Sequence, residues 1–75
     1  MGECIIPMRS RTEAEKGRRA AVRAGIPTET VSVDPSLTRH GCSVGLRVAC
    51  MNVHALESVL DRNGIRHGDI MGRRI

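Results

Sequence analysis

Seventy-five residues, read as one domain over 1–75, lie near the lower limit at which a chain sustains its own core. With no Phe, Tyr or Trp the core must come from Ile, Val, Leu, Met and Ala, which points to modest stability or a homodimer, while 40% hydrophobic and 27% charged residues exclude a disordered chain. A net charge of +4 suits an anionic partner, but the missing aromatics exclude base stacking and leave only phosphate contacts to nucleic acid.

Cys4-Ile5-Ile6-Pro7-Met8 reads as a first strand. Pro7 removes one ladder donor, so in a central strand it belongs at the end or at a bulge. Ser10-Arg11-Thr12-Glu13 matches a capping box, and the Ala-, Arg- and Glu-rich stretch to Ala24 reads as a helix. Ala14, Gly17 and Ala21 with Val22 make a narrow stripe of small residues. Gly17 costs about 1 kcal/mol relative to alanine in a helix interior, a cost that close packing on a sheet would explain. Glu15 is spaced to pair with Arg19, and Arg23 lies near the negative end of the helix dipole. Gly25 reads as a left-handed cap, followed by Ile26 and Pro27.

Thr28 to Val33 is β-rich, with Val31 and Val33 facing one way and Thr30 and Ser32 the other. Asp34-Pro35-Ser36 breaks it, and a loop runs through Arg39, His40 and Gly41 to Cys42. Val44, Leu46 and Val48 then alternate with Ser43, Gly45 and Arg47, the pattern of a half-buried strand. Asn52 reads as the N-cap of a second helix whose stripe is Val53, Leu56, Val59 and Leu60. Asn63-Gly64-Ile65 closes it as Gly25-Ile26 closes the first. A short edge strand is expected around Asp69-Ile70-Met71. Strand, helix, strand, strand, helix, strand is the ferredoxin-like split-βαβ plan, an α+β fold with both helices on one face of an antiparallel sheet.

Three cysteines with no CxxC pair, no secretory signal and no long apolar run read as a cytoplasmic protein with reduced thiols and no membrane span. Cys42 sits where a loop meets a strand, beside Arg39 and His40, so it can be accessible and electrostatically assisted. Cys50 shares the parity of Val44, Leu46 and Val48 and reads as core, as does Cys4. Eight residues of extended strand span over ~25 Å, so Cys50 cannot resolve Cys42 within that strand. His40-x-Cys42 is the one close pair of metal-ligand types, too little for a zinc site. His54 and His67 read as solvated, and no metal or cofactor is expected. Arg11, Arg18, Arg19 and Arg23 read as a solvated helix face, or else a dock for an acidic protein.

Ser10-Arg11-Thr12-Glu13-Ala14-Glu15-Lys16, Ala24-Gly25-Ile26-Pro27, Cys42 before a strand ending in Leu46-Arg47-Val48, and Leu60 with Asn63-Gly64-Ile65 carry a resemblance. From about residue 4 to residue 71 the chain is similar to the small selenium/sulfur carrier-like proteins. That domain also occurs attached to sulfurtransferase-like selenium-metabolism proteins. In the family a cysteine, commonly followed by glycine, precedes an apolar strand with an arginine five residues on. Here those positions are Cys42 and Arg47, with Ser43 in place of the glycine and Gly41 before the cysteine. The resemblance implies a carrier with partners rather than a free-standing enzyme. Cys42 would hold a persulfide or selenosulfide, received from a donor such as a cysteine desulfurase and passed to an acceptor protein. Arg39, His40 and Arg47 would support its anion. The alternatives are a basic module that contacts nucleic acid phosphates or an acidic protein, with Cys42 incidental, and a small metal-handling protein using Cys42 and His40.

Overall fold

Two alternating apolar runs and two helical stripes become β1 (Glu3–Met8), α1 (Arg11–Arg23), β2 (Glu29–Ser32), β3 (Val44–Ala49), a 3-10 turn (Cys50–Asn52), α2 (Val53–Arg62) and β4 (Met71–Gly72). The computed structural model describes residues 2–33, 43–68 and 70–72. Leu37, Asp69 and the segment holding Arg39, His40, Gly41 and Cys42 lie outside the described residues.

The four strands form one sheet in the order β2-β3-β1-β4, and every neighbouring pair is antiparallel. β1 and β2 both run opposite to β3, so they are parallel to each other with β3 between them. By the same reasoning β3 and β4 are parallel, with β1 between. Each helix therefore bridges two parallel strands across a third. The helices touch each other and both rest on β3, so they share one face.

That face holds the core. Cys4, Ile6 and Met8 of β1 and Leu46 and Val48 of β3 meet Ala14 and Ala21 of α1 and Val53, Leu56 and Leu60 of α2. Without aromatic rings, the core reaches density through close approach. A methyl on Gly17 would stand 2.9 Å from Leu46 Cδ1 and 2.9 Å from Leu60 Cδ2. Both leucines are fully buried, so the glycine lets α1 settle onto sheet and helix together. Val22, grouped with that stripe by sequence, is instead 54% exposed.

Local signals act as the residue pattern dictates. The Ser10 hydroxyl accepts the Glu13 N–H at 3.1 Å and starts α1. Gly25 has φ +83 and Gly64 has φ +68, conformations that glycine adopts without a Cβ penalty. After each, the isoleucine N–H returns to the helix: Ile26 to the Ala21 carbonyl at 2.8 Å, Ile65 to the Leu60 carbonyl at 2.9 Å. These are Schellman closures, and both isoleucines are buried. Glu15 meets Arg18, three residues on, at 3.5 Å, rather than Arg19.

Asn52 does not cap α2 through its side chain. The 3-10 turn leads directly into the helix, and the Val53 N–H bonds the Cys50 carbonyl. β2 is one residue shorter at each end than its sequence pattern. Val31 lies opposite Gly45, so Val31 and Val33 face away from the helices, and Val33 approaches the space a Gly45 side chain would fill.

Pro7 sits within β1, opposite Gly45 of β3. Its carbonyl accepts the Gly68 N–H at 2.8 Å. A strand residue directs its nitrogen and carbonyl to the same side, so the missing donor falls on the flank away from β3. The long β1–β3 ladder is thereby left whole.

Candidate functional site

The residues with the most promising chemistry in the sequence are Cys42, Arg39 and His40, and the structure fixes the scaffold on either side of them. Val33 closes β2, and its N–H bonds the Ser43 carbonyl at 2.9 Å. Both flanks of the segment 34–42 are thus tied together at one end of the sheet. There Ser32 pairs with Val44, and Val44 pairs with Met8. Ser43 is exposed and Val44 partly buried, so β3 begins at the protein surface.

Arg47 lies three residues along β3 from Val44, about 10 Å at the rise of a strand. Its guanidinium bonds the Glu29 carboxylate from β2, and its Nε lies 3.6 Å from Glu3 Oε2 on β1. The hydrogen bond and charge of Glu29, then the charge of Glu3, push the Arg47 pKa above its already high ordinary value. Glu29 is Arg47's partner in the β2–β3 register, whereas Glu3 reaches it diagonally, since Ile5 is its β1 partner. Arg47 therefore spans three strands on the face away from the helices. No local spacing pairs Glu29 with Arg47, because the two are 18 residues apart and only strand register brings them together.

The other two cysteines are joined. Cys4 and Cys50 form a disulfide with a Cα–Cα separation of 5.0 Å across 46 residues of sequence. This corrects the expectation that all thiols are reduced. Cys4 pairs with Val48, so Cys50 would be a diagonal neighbour on the same face, ordinarily at about 7–8 Å between Cα atoms. The 3-10 turn bends Cys50 inward, and its N–H bonds the Gly2 carbonyl at 3.0 Å. Both residues still serve the core, Cys4 at 6% exposure and Cys50 packed against the buried cluster.

The histidines divide. His54 is 88% exposed, with Nδ1 3.2 Å from Glu57, as its place in the first turn of α2 suggests. His67, read as solvated, has a side chain only 15% exposed, because it bridges to Met8 at the sheet edge and packs beside Asp61. Among the described residues no three His, Cys, Asp or Glu side chains cluster as metal ligands. Arg11, Arg19 and Arg23 are exposed along α1, and Arg18 is partly covered and paired with Glu15. Among the described residues no helix is long and apolar enough to cross a membrane.

A family model described as "Putative Se/S carrier protein-like" matches residues 3–71. No curated protein and no solved structure matches the chain.

Proposed function

The chain belongs to the Se/S carrier protein-like family, and on that premise we propose that it carries sulfur or selenium on Cys42 between partner proteins of sulfur and selenium metabolism. The observation that carries this reading is the Cys4–Cys50 disulfide. The chain has three cysteines, and with two bonded to each other Cys42 has no other cysteine in the chain to pair with.

The chemistry asks for one reactive sulfur. The Cys42 thiolate attacks the terminal sulfur of a donor persulfide. The donor's S–S bond breaks, its cysteine leaves as thiolate, and a new S–S bond forms on Cys42. The proton of the terminal sulfur stays with that sulfur until it ionises, and no external oxidant or reductant is consumed. Passing the sulfur to an acceptor repeats the exchange in the other direction. A selenium atom in the terminal place gives the corresponding selenosulfide.

An ordinary thiol is mostly protonated at neutral pH, and nearby positive charge favours the thiolate. Arg39 and His40, three and two residues before Cys42, supply that charge in this reading. Arg47 contributes less to it, since its guanidinium is held by Glu29 and Glu3. The donor would be a protein such as a cysteine desulfurase.

Intact mass after incubation with a cysteine desulfurase and cysteine tests the proposal. A reducible gain of about 32 Da, one sulfur, is expected in the wild type and in the Cys4→Ser/Cys50→Ser double variant. It should vanish in Cys42→Ser. A full adduct on Cys42→Ser, or none on the wild type, would overturn the reading.

A further inference from the structure

The sheet end where Met8 pairs with Val44 also carries a cleft that the carrier chemistry does not use. It is an open depression of about 420 Å³ lined by Arg9, Asp61, Gly64, Ile65, Arg66 and His67. Its construction follows from local folding. Arg9 emerges directly from the end of β1. The Gly64 closure turns the chain from α2 back toward the sheet, where the Met8–His67 bridge and the Gly68 N–H bond to Pro7 fasten it. Two arginines 57 residues apart in sequence are thereby brought to one hollow.

The charges there are unbalanced. Arg9 and Arg66 are exposed, and neither guanidinium has a partner among the described residues. Asp61 is the one carboxylate lining the cleft among the described residues, and its Oδ1 already lies 3.3 Å from His67 Nε2. His67 Nδ1 is 2.9 Å from the Gly68 carbonyl oxygen, so both ring nitrogens face acceptors, and a neutral ring donates its one N–H to one of them. The C-terminal end of α2 adds about half a negative charge. Its Leu60 and Asp61 carbonyls, however, accept the Ile65 and Gly64 N–H groups, and the two arginines together still exceed the Asp61 carboxylate and the helix end by about half a charge.

We propose that this cleft binds a small oxyanion of the class that includes phosphate, sulfate and thiosulfate. Guanidinium forks match the oxygen spacing of such anions and bind them bidentately. The depression is open and holds two arginines unpaired among the described residues, which is room and charge enough for a small anion, whereas a docking protein would be met by a broader surface. The proposal stands on the cleft alone and does not depend on sulfur transfer through Cys42.

Titration of 15N-labelled protein with thiosulfate and with phosphate, at constant ionic strength, is the test. Saturable shifts are expected at the amides of Arg9, Gly64, Arg66 and His67. The Arg9→Gln/Arg66→Gln double variant should weaken binding about tenfold or more, the effect of losing charged hydrogen bonds. Asp61→Asn should tighten it several-fold, and Arg19→Gln, exposed on α1 and not lining the cleft, should leave it unchanged. Cys42→Ser should also bind as the wild type does, which separates this site from the carrier reading. Shifts that never saturate, that spread equally over the α1 arginines, or that survive in the double variant would overturn the proposal. So would shifts seen with a polyglutamate peptide and with neither small anion, which would assign the cleft to an acidic protein. Arg9 and Arg66 are exposed, and the spectra of the variants report directly that they fold.

Discussion

The two ends of the β1–β3 pair are built on opposite principles. At the Ala49 end, the structure closes on itself: Cys4 is bonded to Cys50, Glu3 reaches Arg47, and α2 grows from a backbone turn. At the Val44 end, a serine hydroxyl starts α1, the chain departs toward Cys42, and Arg9 and Arg66 stand without partners among the described residues. One end satisfies its own chemistry, and at the other two arginines are left unpaired among the described residues. A small domain with little core area can keep one reactive end if the opposite end supplies the stability.

The largest expected effect breaks that contrast outright. Cys42→Ser should abolish sulfur loading as read by intact mass, while Cys4→Ser/Cys50→Ser loads fully. Loading on Cys4 or Cys50 would mean that the closed end is the reactive one. Next comes stability. Opening the disulfide releases a loop of 46 residues, and chain entropy sets the loss at about 4 kcal/mol, an upper figure for this model of the effect. Urea midpoints of the Cys4→Ser/Cys50→Ser variant against the wild type should show it, with Cys42 loading unchanged.

Gly45→Ala follows, at about 2 kcal/mol of destabilisation. The new methyl would stand 3.0 Å from the Ile6 carbonyl oxygen, which is ladder backbone, and 2.9 Å from Ile5 Cγ2. Unchanged stability would mean that the strands can separate without loss. The smallest effect compares the helix starts. Ser10→Ala should cost about 1 kcal/mol, the worth of an N-cap, and Asn52→Ala close to nothing because its side chain makes no cap bond. Equal costs in thermal melts would remove the asymmetry between the two ends. Arg47→Gln sharpens the site itself: sulfur loading should slow less in initial rate than in Arg39→Gln, because the Arg47 guanidinium serves Glu29 and Glu3.

What could be read in the sequence was local. Ser10 with Glu13, Gly25-Ile26 and Gly64-Ile65 each declare a helix boundary within five residues, and each is realised in hydrogen bonds. The alternation through Val44, Leu46 and Val48 declares a strand and its buried face, and the element order follows. What escaped depends on register. Cys4 and Cys50 meet only because Cys4 lies opposite Val48, and no spacing rule in one chain states which residues of two strands face each other. Arg47 meets Glu29 and Glu3 for the same reason. His67 is covered because it bridges to Met8, a contact spanning nearly the whole chain. Asn52 does stand at the N-cap of α2, as its residue type suggests, but its side chain makes no cap bond, because the turn that bends Cys50 inward supplies backbone at the helix start. Of the candidate site, Cys42 itself lies outside the described residues, and the part that was legible is the strand that follows it, whose alternation through Val44, Leu46 and Val48 is realised in β3. The arginines that line the cleft were not, since nothing local links residue 9 to residue 66.

Pro7 has a consequence for how this protein behaves in a crowded solution. A short edge strand such as β4 can be displaced, and a neighbouring molecule's strand could then add to β1 and propagate into a polymer. On that flank the incoming strand would find a proline ring where a rung should be, with the adjacent carbonyl already taken by Gly68. The same residue that leaves the interior ladder intact makes the exposed side a poor template for aggregation.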